Sequence, residues 1–458
     1  MYQIDYNKPV HLHFIGIGGI SMSGLAAVLL GRGFTVTGSD AKRSSLTEWL
    51  EGLGARIRTP QSASNLEDGI DAVVYTAAIH PDNPEFAAAK AKGLPMLTRA
   101  ELLGEIMTNY AMPIAVSGTH GKTTTTSMLS HILMEADMDP TISVGGILPS
   151  IGGNVRVGHS EHFITEACEY TNSFLSLYPK LSIILNIDAD HLDFFKDLDD
   201  IRHSFRLFAE RLPEDGCLVV HAGIPHLDYV TEGLTCRIVT FGIAEGTYQA
   251  AEITYDAAGC GSFAIVKDGE TLGQFELSVP GEHNVVNAVA ALAAGDVLGI
   301  PAEVMAKGLA GFHGTDRRFQ KKGELGGVTI VDDYAHHPTE IQATLQTAKK
   351  LPCRRVWCIF QPHTYTRTKA LMDEFAQALS CADHIVLASI YPARETDNLG
   401  ISSDDLRAKL TALGKDACYF PTFDEIETFL LEHLEPGDLA ITMGAGDVYR
   451  IGEHLLGK

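Results

Sequence analysis

Positive charge is scarce in this chain: 35 Lys and Arg stand against 58 Asp and Glu among 458 residues, a formal net charge of −23. A field of that sign repels polyanions, which argues against a nucleic-acid partner and requires any phosphate to be recognised locally, by loops, helix ends and a few basic side chains. Long apolar runs are also missing. No uncharged stretch approaches membrane-spanning length, and Met1–Tyr6 carries no basic start leading into an apolar core, so the expectation is a cytoplasmic protein with no membrane partner. The eight cysteines form no CxxC pair and no metal-finger spacing, which excludes a zinc ribbon and reads as reduced thiols. Internal repeats and low-complexity tracts are absent as well. What remains is an ordinary globular composition, long enough for about three domains.

The most informative stretch is Gly118-Thr-His-Gly-Lys-Thr-Thr-Thr-Thr126, which follows the apolar run Pro113–Val116 and opens a helical pattern. Glycines at 118 and 121 let successive N–H groups turn inward, the helix start adds its dipole, and Lys122 brings a full charge toward β/γ-phosphates. Thr123 then stands where a hydroxyl ligates Mg²⁺. The usual phosphate loop has a glycine five residues before Gly121 where this chain has Val116, so the loop is a shortened variant.

Upstream, His11–Ile15 runs into Gly16-Ile-Gly-Gly-Ile-Ser21 and a helical pattern to about Leu30, and a second strand, Phe34 to Thr37, ends at Gly38-Ser39-Asp40. A third, Asp71 to Thr76, precedes helices near Pro84 and Arg99. This is a doubly wound nucleotide-binding half, with Asp40 placed to hold a ribose hydroxyl. Downstream of the loop, strands Phe163 to Thr165 and Ile183 to Ile187 end in Glu166 and in Asp188-Ala-Asp-His191. A carboxylate suits Mg²⁺; an imidazole such as His191 suits it less. Gly216 to Pro280 reads as an antiparallel β appendage, and Glu282 to about Gly299 as an alanine-rich helix. Strands Val328 to Val331, Val356 to Phe360, Ile385 to Ala388 and Leu439 to Thr442 then alternate with helices as a mainly parallel domain. Tyr334-Ala-His336-His-Pro338 and Gln361-Pro-His-Thr-Tyr-Thr-Arg367 follow strand ends, where open α/β sheets bind ligands, and Arg367 can grip a carboxylate or phosphate with two parallel bonds.

Taken together, HFIGIGGISMSG, GTHGKTTTT, NIDADHLD, HNVVNA, RRFQ, DDYAHHPTE and FQPHTYTRT keep, over about residues 11 to 450, an order that resembles the Mur ligases of peptidoglycan synthesis. The resemblance implies an α/β protein of three domains. These are a Rossmann-like UDP-sugar domain (1–111), a P-loop ATPase-like domain (112–322), and a C-terminal Rossmann-like domain (323–458) that closes on ATP and binds the amino acid. It implies an ATP- and Mg²⁺-dependent ligase joining L-alanine to the carboxylate of UDP-N-acetylmuramate. The alternative is a recycling ligase that attaches a whole tripeptide to the same sugar nucleotide, and the GIGGISMS turn favours the first.

Carried onto this sequence, the resemblance assigns Gly118, Thr119, His120, Gly121, Lys122, Thr123 and Thr124 to the ATP phosphates. Thr123 and Glu166 become magnesium ligands, with His191 on a second magnesium. Lys122, Glu166 and His191 form the catalytic set. Asn284 and Asn287 fall on the adenine side, and Arg317 and Asp333 reach the nucleotide from the closing domain. Tyr334, His336 and Arg367 correspond to the amino-acid pocket, and Gly18, Gly19, Ser39 and Asp40 to the UDP-sugar side.

Three positions depart from the family pattern: Ser21 for a third glycine, Cys168 for an aspartate in Glu166-Ala-Cys-Glu-Tyr170, and Thr364 for a second arginine. Residues 202–206 hold no lysine, so no carbamylated lysine is expected. A monomer or homodimer is expected. A nicotinamide-dependent dehydrogenase built on the first domain would leave the second and third unused, and a non-catalytic nucleotide-dependent binding protein would be excluded by ATP turnover only with both cosubstrates.

Overall fold

The computed structural model describes residues 2–458, which form two compact units. The first contains the chain up to Ile187, Asp199–Tyr248 and Ala290–Gly308; the second contains Asp188–Leu198, Gln249–Val289 and Leu309–Lys458.

The first unit begins with five parallel strands, β1 (His11–Ile15), β2 (Thr35–Ser39), β3 (Arg56–Arg58), β4 (Ala72–Tyr75) and β5 (Met96–Thr98), in the order β3-β2-β1-β4-β5. The reversal at β1 places the turn Gly16–Gly19 at a switch point, the position where such sheets bind nucleotides. A second parallel sheet follows: β6 (Met112–Ser117), β7 (Thr141–Leu148), β8 (Gly153–Arg156), β9 (His162–Glu166), β10 (Leu181–Ile184), β11 (Cys217–His221) and β12 (Arg237–Gly242), ordered β12-β11-β10-β6-β9-β7-β8 with only β8 antiparallel. β6 is apolar because both faces are covered: Ile114, Ala115 and Val116 are fully buried.

Two glycines fix how the first sheet's helices lie against the second. A Cβ on Gly24, in the helix Ile20–Gly31, would stand 2.6 Å from the Val155 side chain of β8, and one on Gly104 would stand 1.9 Å from the Ser176 carbonyl. The close packing usually supplied by a third glycine of the first turn is therefore made one turn later at Gly24, while Ser21 takes the exposed position.

Residues 217–242 correct the expected antiparallel appendage. β11 and β12 pair in parallel, each opposite its neighbour's apolar run, and extend the central sheet. Only β13 (Tyr248–Tyr255), β14 (Cys260–Lys267) and β15 (Glu270–Pro280) belong to the meander, with β14 and β15 antiparallel. The glycines of this stretch sit in turns such as Gly246 and Gly269, both at positive φ, so glycine content did not distinguish the two kinds of sheet.

In the second unit, β16 (Gln320–Leu325), β17 (Val328–Asp333), β18 (Val356–Phe360), β19 (His384–Leu387), β20 (Asp416–Tyr419) and β21 (Leu439–Met443) form a sheet ordered β16-β17-β21-β18-β19-β20. All pairs are parallel except the β16–β17 hairpin. β16 and β20 are edge strands that lack the apolar run of the other four, which is why the sequence pattern passed over them.

Candidate active site

β6 delivers the chain into the loop Gly118–Gly121, where Gly118 (φ 138°) and Gly121 (φ 85°) take conformations that a side chain disfavours. Gly118 is also pressed on the following strand's continuation: a Cβ there would meet Leu185 Cβ at 2.9 Å. The helix Lys122–Glu135 starts at once, with Gly121 as its N-cap, so its free N–H groups open toward the loop. Asn186 holds the loop in shape. Its side chain accepts from His120 N–H (2.8 Å) and donates to the His120 carbonyl (3.0 Å), while its own carbonyl accepts from Thr119 N–H at 3.3 Å.

Lys122 folds back into this loop. Its Nζ donates to the carbonyls of Gly118 (2.5 Å) and Thr119 (3.1 Å) and to Glu169 Oε2 at 2.8 Å. Burial alone would depress the ammonium pKa, but the negative charge of Glu169 and its bond to Lys122 raise it above its ordinary value, so Lys122 is charged. At Cys168 the two causes reinforce each other: burial, then Glu169, pushes the thiol up and keeps it neutral. Glu166 ends β9 directly opposite Val116 of β6 and accepts from Gly145 N–H at 2.6 Å. Loop, Lys122, Thr123 and Glu166 thus meet at one end of the central sheet. Glu169 and Asn186, which complete the arrangement, were missed because both lie in loops whose conformation brings them in.

At the first turn, Asp40 accepts from Gly18 N–H at 2.8 Å, and the Ser39 carbonyl accepts from Gly16 N–H (2.9 Å) and Ile17 N–H (3.0 Å). The Ser39 hydroxyl faces inward, fully buried, and donates to Glu85. Glu85 lies 3.4 Å from His13 Nε2, and Thr37 Oγ1 joins His13 and His11 at 2.9 Å each. Beneath the turn there is therefore a buried polar chain for which the sequence offered no pattern.

The second unit carries the other residues. Asp190 Oδ1 accepts from Arg367 Nε (3.2 Å) and Nη2 (3.0 Å), and Arg367 Nη1 lies 3.4 Å from His363 Nδ1. Desolvation would raise the Asp190 pKa, but Arg367 outweighs it and holds the carboxyl well below the usual range. Tyr334, His336 and His363 line up as a series of edge-on rings, with centroids 5.3 and 5.8 Å apart. Burial lowers His336 to about 3 and His363 to about 4, so both rings are neutral at pH 7. The expected residues Tyr334, His336 and Arg367 come together here, and Asp190 and His363 join them. His191 follows Asp190 at φ 53°, a left-handed conformation, with its ring nitrogen 3.8 Å from Asp190 Oδ2.

Arg317 spends its guanidinium inside this unit: Nε on Asp332 (2.9 Å), Nη1 on the Gly446 carbonyl (3.0 Å) and Nη2 on the Gly444 carbonyl (2.6 Å). Asp333 accepts from Ala335 N–H (2.7 Å) and Phe319 N–H (2.8 Å), and burial raises its pKa to about 6. Asn284 and Asn287, one helical turn apart, are buried and linked by a 3.2 Å bond.

Comparisons with known proteins agree with this arrangement. The Mur ligase family catalytic domain matches residues 11–111, the Mur ligase middle domain 116–295, and the Mur ligase glutamate ligase domain 317–446. The chain is 59% identical over 458 residues to the UDP-N-acetylmuramate–L-alanine ligase of Lachnospira eligens, covering all of both chains, and 50% identical over 449 residues to that of Clostridium botulinum, covering 98% and 97%. Among solved structures, the UDP-N-acetylmuramate–alanine ligase of Thermotoga maritima superposes with a TM-score of 0.82 at 30% identity, covering 98% of each chain. A murein peptide ligase from Psychrobacter arcticus gives 0.73 at 27% identity over the same share. Three family domain matches in this order and full-length identity of this degree have one explanation: the chain belongs to the Mur ligase family.

Proposed function

We propose that the chain joins L-alanine to the lactyl carboxylate of UDP-N-acetylmuramate, with ATP converted to ADP and phosphate. The observation that carries this reading is the 59% identity, over the whole of both chains, to a relative with that name. The murein peptide ligase, at 27% identity, is the more distant likeness, which favours alanine over a tripeptide.

A carboxylate is a poor electrophile toward an amine, because direct amide formation would expel oxide. ATP removes the difficulty. A carboxylate oxygen attacks the γ-phosphorus, the bond from that phosphorus to the β–γ bridging oxygen breaks, and ADP leaves. The alanine amine then attacks the acyl carbon and inorganic phosphate departs, taking the former carboxylate oxygen. The phosphate loop supplies inward N–H groups for this transfer. Lys122, already charged, exchanges Glu169 and the loop carbonyls for phosphate oxygens. The Thr123 hydroxyl and Glu166 carboxylate are hard oxygen donors that fit Mg²⁺, which when bound would offset phosphate charge. Among the described residues no three His, Cys, Asp or Glu converge to cage a metal, so such an ion would draw most of its oxygens from nucleotide and water.

His191 is our choice for a second magnesium, and Arg317, Asp333, Asn284 and Asn287 for the nucleotide. Gly18, Gly19 and Asp40 serve the UDP-sugar, with Ser39 acting through its carbonyl. Arg367, Tyr334 and His336 receive alanine: its carboxylate takes the guanidinium fork that Asp190 now holds, and the neutral His336 leaves that charge unopposed. We place the domain boundaries at 1–111, 112–322 and 323–458. No described helix is long and apolar enough to cross a membrane.

Phosphate release with UDP-N-acetylmuramate plus L-alanine, or plus the tripeptide, tests the reading. Turnover with the tripeptide alone would replace it with the recycling reaction, and turnover with neither would overturn it.

A further inference from the structure

A cavity of about 270 Å³ lies in the first unit, between the first turn's helix and the end of β9. Its polar side chains are Ser21, Arg99, Ser143, Thr165, Glu166, Cys168 and Ser173, beside an apolar wall that includes Leu25 and Phe174. Arg99 is the anomaly. It is the first residue of the helix Arg99–Met107, whose N-terminus is already closed by a capping box between Thr98 and Glu101. A cation in a first turn opposes the helix dipole, so Arg99 does not serve the helix. Nor does it serve the fold through a pair: among the described residues no carboxylate bridges to it, and its guanidinium makes no hydrogen bond. Burial lowers its pKa, and the titratable group that acts on it is the thiol of Cys168.

Glu166 faces the same cavity and bonds to Gly145 N–H instead of to Arg99. One cation and one anion therefore share a small chamber of mixed lining without neutralising each other. A desolvated guanidinium without a counter-ion is costly unless an anion arrives to fill it. The chamber has room for a short acid, and Glu166 marks the side where the γ-phosphate is expected.

We propose that Arg99 grips the lactyl carboxylate of UDP-N-acetylmuramate and holds it beside the Glu166 end of the cavity. This assignment rests on the ligase reading above. The planar fork takes one carboxylate oxygen on each arm, fixes the plane of the acid, and leaves a lone pair directed at the phosphorus. The Ser21 and Ser143 hydroxyls offer the sugar and lactyl oxygens further donors.

Binding of two sugar nucleotides to full-length protein tests the assignment. UDP-N-acetylmuramate and UDP-N-acetylglucosamine share the diphosphate and differ in the lactyl acid. Arg99→Gln should weaken the first roughly ten- to hundredfold and leave the second within about twofold. Arg99→Lys, which keeps the charge and loses the fork, should fall between. In steady-state kinetics the Michaelis constant for UDP-N-acetylmuramate should rise while those for ATP and alanine hold. Because Arg99 has no internal partner and its desolvation is uncompensated, the melting temperature should not fall. Equal weakening of both nucleotides would assign Arg99 to the diphosphate and overturn the proposal; so would unchanged affinity, or a loss traced to a lower melting temperature. Failure of the parent reading looks different: the unmodified protein would then release no phosphate with UDP-N-acetylmuramate and alanine.

Discussion

Lys122 in the phosphate loop and Arg367 beside the C-terminal sheet are each held by an internal carboxylate, Glu169 at 2.8 Å and Asp190 at 3.0 Å. The two pairs differ in how they can be opened. The Lys122 ammonium is a point charge on a flexible stem, shared between Glu169 and two loop carbonyls, and it can swing toward a phosphate while staying partly solvated by the loop. Arg367 sets two nitrogens on a single Asp190 oxygen, and its planar group needs a ligand of the same geometry to replace it. A cation near a phosphate needs reach, and a cation near a carboxylate needs orientation. In both places an internal acid occupies the cation until substrate arrives.

The sharpest way to break this comparison is Lys122→Ala, which should lower kcat/KM roughly a thousandfold or more. It also leaves Glu169, 2% exposed, without its cation, and should cost about 3 kcal/mol of stability in denaturant titrations. The double variant Lys122→Ala, Glu169→Gln should recover much of that stability and none of the activity. Recovery of turnover would show that the lysine serves the fold alone.

Arg367→Lys is the counterpart. The charge remains and the fork is lost, so the Michaelis constant for alanine should rise about tenfold or more while those for ATP and UDP-N-acetylmuramate stay put. An unaltered alanine constant, with a fall in kcat, would transfer Arg367 to the γ-phosphate and erase the contrast.

Glu166→Gln is milder, because the amide keeps the bond to Gly145 and loses only the charge. The magnesium concentration for half-maximal rate should increase several-fold, roughly in line with loss of one carboxylate ligand. A magnesium titration that overlays the unmodified one would remove Glu166 from the metal.

The last expected effect touches stability alone and concerns acid. His336 and His363 have folded pKa values near 3 and 4, below the ordinary 6.5. A depressed folded pKa means stability that is present above pH 6.5 and lost as pH falls toward those values, because the unfolded chain takes up the protons first. Between pH 6.5 and 4 each histidine should cost about 1.4 kcal/mol per pH unit. Replacing both with Gln should flatten that slope in urea titrations, and an unchanged slope would mean the rings are not held neutral.

Much of this was legible before any coordinates. Gly118, Gly121 and Lys122 announce a phosphate loop because few residues tolerate such backbone and fewer supply the charge. The apolar runs of β1, β6, β10, β17, β18 and β21 announce buried parallel strands. The parallel pairing of β11 and β12 was not legible, since a short apolar strand between glycine-containing turns reads the same in either kind of sheet. Glu169, Asn186 and Asp190 were not singled out either, because a carboxylate or amide in a loop declares nothing about what it will face.

The sequence by itself determined the family, the order of the elements and the residue types that chemistry at each strand end requires. These depend on local backbone freedom and on apolar periodicity, which are written residue by residue. Only the tertiary structure decided which charges meet. It sets Lys122 on Glu169, turns Ser39 inward to Glu85, and leaves Arg99 facing Glu166 across a cavity without a counter-ion. Pairing of that kind depends on distances between groups far apart in the chain, and a Coulomb interaction that rises as charges leave water has no counterpart in any local pattern.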